Sequence, residues 1–296
     1  MQILKPIPFP TIWGGTRLMP YVDKYNKDNI GQLYTVSSIK NNSNEILNGE
    51  YKGKTFYDFY KDNKEKYNIP FDEYPLLIAL VDAKEDLSVQ VHPNDKIAEE
   101  LERVPFGKTE SWYFLEEPDS GYIVNGCLCD TYNSFYEKVN NKDFENIIDH
   151  LKVEKGDYVF VEAGTLHALG SGSLVYEIQE NSNLTYRFYD YNRIDENGNT
   201  RPLHIAKAKR AVDIKLKSKT ERFTKEEILE KKYAVKKFIG HKYKNTLNTL
   251  EVITIVKGKS IVEDINVQMG TSIILEPNEE VVFSETVECC VAHYLL

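Results

Sequence analysis

The sequence predicts a mainly β protein: a sandwich or barrel of short strands, broken by a helical insertion and followed by a smaller β domain. Three observations carry this. Short alternating or apolar runs recur between turn signals over most of the chain. Helical spacing is sustained only in a few places, most clearly over 134–151. A stretch rich in charge and poor in apolar residues, 215–232, precedes a tail made mostly of short strand-like runs. The expected division is therefore 1–215, with the N-terminal arm and the helical insertion, and 216–296. The tail is small for a fully independent domain.

Taken in order, Pro6, Pro8 and Pro10 mark an irregular arm, and Trp13-Gly14-Gly15 a glycine turn that allows close backbone approach. Gln32–Ser38 alternates as a strand, and Asn41–Gly49 is a polar connection. Phe56, Phe59 and Tyr60 set out a short amphipathic helix starting near Lys54-Thr55. Pro75–Ala83 is a nearly continuous apolar run, the pattern of a strand buried on both faces. Leu87–His92 follows as a strand, and Asp95–Glu102 as a helix. In that strand Gln90 and His92 share a face, because side chains two apart point the same way. A Gln and a His at a strand end can grip a metal or a polar ligand, although a lone His can also be a satisfied core residue.

Lys108–Leu115 reads as a strand with Lys108, Glu110, Trp112 and Phe114 on one face. A cation, an anion and then aromatics suit a strand running from a pocket mouth inward; an exposed edge pair is the plainer alternative. Phe135, Val139, Phe144, Ile147, Ile148 and Leu151 predict a helix over 134–151. Strands follow at 158–161, 166–169, 174–178 and 184–189, and Asn197-Gly198 signals a hairpin turn. Pro202–Arg210 reads as a short helix. The tail has strands at 250–257, 260–267, 271–275, 281–284 and 289–295.

Composition narrows the function. With 41% hydrophobic and 28% charged residues the chain is globular. No apolar run reaches membrane-spanning length, and the first residues lack a signal-peptide core, so a cytoplasmic protein is expected. A formal charge of −9 argues against a nucleic-acid surface. The cysteines fall as Cys127/Cys129 and Cys289/Cys290. Their spacing disfavours a four-cysteine zinc site, so reduced, buried thiols are expected.

Gly156-x5-Glu162-x-Gly164-x2-His167 resembles the second cupin motif, with Glu162 in the place of proline. Gln90-x-His92 followed by Glu110 resembles the first, with Gln for the first His and a longer gap. Cupins are double-sheet jelly rolls holding one metal. Trp13-Gly14-Gly15, Leu87–Asp95, Gly107–Tyr113, Glu177-x-Gln179-x-Asn181-Ser182 and Thr185–Tyr191 appear in order, and over about 1–210 the chain resembles the type I mannose-6-phosphate isomerases in their short bacterial form. The resemblance implies a smaller, degenerate cupin-like C-terminal domain. It implies metal ligands Gln90, His92, Glu110 and His167, one zinc ion, an active-site Arg187, and Lys108 and Glu177 in the pocket. Such a mixed N/O set suits zinc, and iron or manganese would accept it too.

The reaction implied is interconversion of mannose 6-phosphate and fructose 6-phosphate through a cis-enediol. Metal and Arg187 would stabilise charge on O1 and O2. Lys108 and Glu177 compete as general base. Lys108, Arg187 and Ser111 are candidates for the phosphate, and the chain is expected as a monomer or homodimer. Gly31-Gln32-Leu33-Tyr34 replaces the family's Gly-Glu-x-Trp, which could shift sugar preference. Two other readings stay open. A silent sugar-phosphate sensor would be signalled by that replacement, and an iron cupin oxygenase would use the same ligands but not Lys108 and Arg187 together.

Overall fold

The computed structural model describes residues 1–67, 69–194, 198–224 and 226–295. The expected turn at Asn197 lies outside the described residues. The chain forms two compact units: Met1–Pro10, Arg17–Leu80 and Phe223–Leu296 make one, and Thr11–Thr16 with Val81–Arg222 the other. The later boundary falls inside the charged stretch 215–232. The N-terminal segments group with the C-terminal strands, so the units are discontinuous in sequence.

In the first unit the arm is more regular than expected. β1 (Gln2–Leu4) is followed by β2 (Ile7–Phe9), β3 (Gln32–Val36) and α1 (Phe56–Asn63). Thr55 caps α1 in a capping box: its hydroxyl accepts from Asp58 N at 3.2 Å, and the Asp58 carboxylate accepts from Thr55 N at 3.1 Å. β4 (Leu76–Asp82) is buried at every position, as its unbroken apolar run requires.

The second unit continues with β5 (Val89–Val91), α2 (Asp95–Glu102), β6 (Glu110–Glu116), β7 (Tyr122–Cys127), α3 (Tyr132–Asn140), β8 (Ile148–Lys152), β9 (Asp157–Val161), β10 (His167–Ala168), β11 (Leu174–Glu180), β12 (Tyr186–Tyr189), α4 (Ile205–Ala211) and β13 (Thr220–Arg222). Two antiparallel arrays result. One runs β13-β9-β6-β11 and the other β12-β5-β10-β7-β8. This is the double-sheet barrel expected, and the site lies between its sheets.

The helix expected over 134–151 is half helix and half strand. α3 stops at Asn140, the Asn141 N–H bonds back to Glu137 O and Val139 O, and Lys142 takes a left-handed φ of 58°. The remaining apolar residues serve other partners. Phe144 packs on Phe188 and Tyr189, with ring centroids 5.2 Å apart in each pair. Ile148 begins β8, which pairs with β7. Helical spacing here came from two elements in tandem, and tertiary pairing decided the second.

The C-terminal strands complete the first unit: β14 (Ile228–Leu229), β15 (Tyr233–Lys244), β16 (Glu251–Lys257), β17 (Lys259–Val262), β18 (Ile265–Gln268), β19 (Ser272–Leu275) and β20 (Glu280–Tyr294). One sheet runs β1-β19-β16-β20-β15-β14. Its core includes Ile253, Ile255, Val267, Ile273, Phe283 and Val291, all buried. The two expected strands 281–284 and 289–295 are one continuous β20, held by the long β15. All four cysteines are buried and unbridged. Among the described residues no helix is long and apolar enough to cross a membrane.

Candidate metal centre and active site

Register brings the site together. Arg187 and His167 both stand opposite Gln90, and His167 also stands opposite Asn125, so one row crosses β12, β5, β10 and β7. Directly opposed residues point to the same face of a sheet. On the other array Glu110 stands opposite Val161 and Gln179, and Trp112 opposite Glu177. Alternation along β6 then sends Ser111 the other way. Ser111 is fully buried and its hydroxyl accepts a 2.7 Å hydrogen bond from the Tyr158 phenol, so this phosphate candidate does not face the site.

His92, Glu110 and His167 present their ligand atoms within 4.8 Å of one another, and all three are buried. The His92 and His167 Nε2 atoms are 3.2 Å apart. Glu110 Oε2 lies 3.2 Å from His92 Nε2, and Oε1 lies 3.4 Å from His167 Nε2. The Gln90 side-chain amide is 3.4 Å from His167 Nε2. Each Nδ1 faces a carbonyl at 2.8 Å, Leu184 O for His92 and Thr165 O for His167. A carbonyl can only accept, so each Nδ1 carries the proton and each Nε2 is left with a lone pair. Neither Glu110 oxygen has a hydrogen-bond partner among the described residues, although Lys108 Nζ approaches Oε2 at 2.9 Å as an ion pair. Two imidazole nitrogens, with only the Gln90 Nε2 at 3.4 Å from that of His167, and an ionised carboxylate converge on one point. Such a set is repulsive by itself and is satisfied by a divalent cation. The residues present fit a metal.

Electrostatics agree. Burial lowers the affinity of His92 for a proton, and the nearby Lys108 lowers it further. Burial and His92 bring His167 down to about 3. Burial alone would raise the Glu110 pKa, but Lys108, His92 and His167 outweigh it and hold the carboxyl well below the usual range. All three donors are thus in the protonation state a metal needs.

Around them stand the other expected residues. Glu177 is buried; its Oε2 accepts a 2.9 Å hydrogen bond from Trp112 Nε1, and its Oε1 has no hydrogen-bond partner among the described residues. Burial, with the Glu110 charge, pushes Glu177 up to about 7. Arg187 donates from Nη1 to Pro202 O at 2.9 Å, while its buried Nε has no hydrogen-bond partner among the described residues. The structure brings Gln90, His92, Lys108, Glu110, His167, Glu177 and Arg187 into one unit.

Local folding explains the placement. β5 ends at Val91, and the next two carbonyls serve as anchors. His92 O accepts from Gly164 N at 2.9 Å, and Pro93 O accepts from Lys108 N at 3.0 Å. Gly164 has φ 102°, a conformation that favours glycine. At Gly107 a Cβ would lie 2.3 Å from Pro93 O, so only glycine permits this approach. Asn94 caps α2 by accepting from Ile97 N at 3.0 Å, which turns the chain away directly after the ligand. The turn at Glu162 is closed through its carbonyl, which accepts from Thr165 N at 3.0 Å, a bond open to any residue at this position. Gln32 and Tyr34 belong to the first unit, where the Tyr34 ring lies 4.5 Å from Phe9.

Sequence reasoning missed Trp112 as the partner of Glu177 and Asn125 as the neighbour of His167. Trp112 was visible as an aromatic on the Lys108–Glu110 face. Asn125 sits on β7, a strand the sequence reading left unassigned.

Known proteins place the chain. The sequence model described as "Phosphomannose isomerase type I, catalytic domain" matches residues 11–118. The putative mannose-6-phosphate isomerase YvyI of Bacillus subtilis is 38% identical over 216 residues, 71% of this chain and 67% of the relative. The mannose-6-phosphate isomerase ManA of Bacillus subtilis is 34% identical over 211 residues, again 71% and 67%. The crystal structure of the mannose 6-phosphate isomerase from Bacillus subtilis superimposes with a TM-score of 0.82 at 30% identity, covering 99% of both chains. With the double-sheet barrel and the His–Glu–His cluster at its centre, these likenesses establish that the chain belongs to the type I phosphomannose isomerase family.

Proposed function

We propose that the protein interconverts mannose 6-phosphate and fructose 6-phosphate by moving a proton between C2 and C1 through a cis-enediol. The observation that carries the reading is the pair of unprotonated Nε2 atoms facing Glu110, with a protonatable Glu177 buried beside them. His92, Glu110 and His167 would hold the metal, and Gln90, whose Nε2 lies 3.4 Å from His167 Nε2, would turn its amide to offer the oxygen as a fourth ligand. Zinc fits this mixed donor set. When bound, the metal supplies positive charge where negative charge develops on O1 and O2.

The chain's own groups divide the remaining work. Glu177 has the features of the general base: one free oxygen, a pKa near working pH, and a Trp112 donor that fixes its orientation. Lys108 Nζ is held 2.9 Å from Glu110 Oε2, where it supplies positive charge beside the cluster. Arg187 offers its unpartnered Nε to substrate oxygen. Removing either cation should lower turnover more than substrate binding.

The test is conversion of mannose 6-phosphate before chelation, after chelation and after zinc is returned. Loss and recovery are expected. No conversion by the zinc-loaded protein overturns the assignment.

A further inference from the structure

We propose that His204, on the segment after β12, is a positioning residue that holds Arg187 in its working place. The inference rests on the reading of Arg187 as a substrate-facing cation. His204 grips the Arg187 backbone from both sides. Its Nδ1 accepts from Arg187 N at 3.0 Å, and its own N–H donates to Arg187 O at 2.7 Å. Two residues earlier, Pro202 O takes Arg187 Nη1 at 2.9 Å. The strap is anchored by a fork: Arg201 Nε and Nη2 donate to the two Asp190 oxygens at 2.8 and 2.6 Å. Residues 201–204 therefore fix the backbone of Arg187 and one arm of its guanidinium, and leave the buried Nε without a partner among the described residues.

The grip needs an acceptor at the Nδ1 position. A backbone N–H always donates, so Nδ1 must carry a lone pair and the proton must sit on Nε2. A protonated ring could not accept, and the grip would open. Burial lowers the proton affinity of His204, as do Arg187 from β12 and Lys207 from α4, while Glu102 from α2 opposes them. The grip is closed at neutral pH and opens on the acid side. Register adds reach. Arg187 stands opposite Gln90, so a shift of Arg187 along β12 would move it against the row that carries His167.

Steady-state kinetics of the zinc-loaded enzyme test this with His204→Leu, His204→Asn, Arg187→Ala and the double variant Arg187→Ala/His204→Leu. His204→Leu is expected to lower kcat by about 10- to 100-fold with a smaller change in KM, the cost of misplacing a group by about an ångström. His204→Asn keeps an acceptor near the Nδ1 position and does not titrate. It should recover most of the loss and flatten the acid limb of the pH profile. In the Arg187→Ala background, His204→Leu should add little, because the two residues act as one unit. A kcat for His204→Leu within twofold of wild type, or an undiminished further loss in the Arg187→Ala background, overturns the positioning role alone. Normal turnover in Arg187→Ala overturns the reading of Arg187, and the positioning role with it.

Discussion

His92 and His167 point their Nε2 atoms at each other across 3.2 Å, and both rings have committed their protons elsewhere. No hydrogen bond can join two lone pairs. In the metal-free chain this contact is a cost, and a divalent cation turns it into a bond. Metal should therefore stabilise the fold. At metal concentrations about 100-fold above Kd the gain is ~2.7 kcal/mol. Thermal melts with and without chelator should differ by several degrees in the wild type and hardly at all in His167→Ala. A melt that ignores the metal in the wild type would contradict the site.

Acid should affect this centre in a definite direction. His167 titrates at about 3 in the folded protein and His92 is also depressed, whereas an unfolded histidine titrates near 6.5. The unfolded chain thus binds more protons below that value. Both groups cost stability as pH falls through about 6.5 toward 3, and none of that cost is present above it. Metal affinity should change little between pH 8 and 7, since both imidazoles are already neutral. A steep fall in zinc affinity over that window, read by competition with a chromophoric chelator, would be incompatible with the depressed imidazoles.

Glu177 carries the opposite sign. Its folded pKa of about 7 lies above the ordinary carboxyl value, so the folded chain holds a proton that the unfolded chain releases. The ionised form costs nothing below about pH 4, and the cost grows up to about pH 7 and is full above it. The shift is worth on the order of 3 kcal/mol. Metal-free Glu177→Gln should therefore be more stable than the wild type at pH 8 and similar to it near pH 4. In the zinc-loaded enzyme the same variant should lose about 100-fold or more in kcat. Normal turnover would remove Glu177 from the role of base.

The polar centre was more legible than the scaffold around it. His92, Glu110 and His167 converge, with Gln90 and Lys108 against them, and they were legible because they sit in short motifs at fixed spacing that resemble the family's. The barrel could be read from strand alternation and from turns at Gly156 and Gly164. What failed was non-local. β1 pairs with β19 across nearly the whole chain, and β8 looked helical because Phe144, Ile147 and Ile148 continue the spacing of Phe135 and Val139. β15 carries Lys236, Lys237 and His241 among its apolar residues, and it is a strand because β20 pairs with it along its length. The division of the chain into units depends on such pairings, and periodicity does not encode them.

Trp112 gives a finer test of Glu177. Its indole N–H is a 2.9 Å donor to the Glu177 carboxylate and favours the ionised form. Trp112→Phe keeps most of the ring and removes the donor. A hydrogen bond to a charged acceptor is worth roughly 1.5–3 kcal/mol, so the Glu177 pKa should rise by about one to two units. The ascending limb of kcat against pH should move to higher pH by the same amount. An unmoved limb would show that the limb belongs to another group.

Gly107 tests the stitching between ligand segments. Its missing Cβ is what lets Lys108 N reach Pro93 O at 3.0 Å, because a methyl there would sit 2.3 Å from that oxygen and 2.6 Å from Asn94 C. The obstacles are backbone atoms and cannot rotate away. In Gly107→Ala either the Pro93–Asn94 turn or the start of β6 must move. The first displaces His92, and the second displaces Lys108 and Glu110. The expected result is a loss of about 1–3 kcal/mol in stability, together with weaker metal binding and a turnover loss larger than that stability loss explains. Gly121→Ala is the matched control. Gly121 has a φ of 74° and nothing within 4 Å of an added Cβ, so its backbone strain can lower stability while leaving the centre intact. If both variants lose stability alike and both keep full zinc affinity, then the ligand segments are held independently of one another, and the approach at Gly107 serves the fold alone.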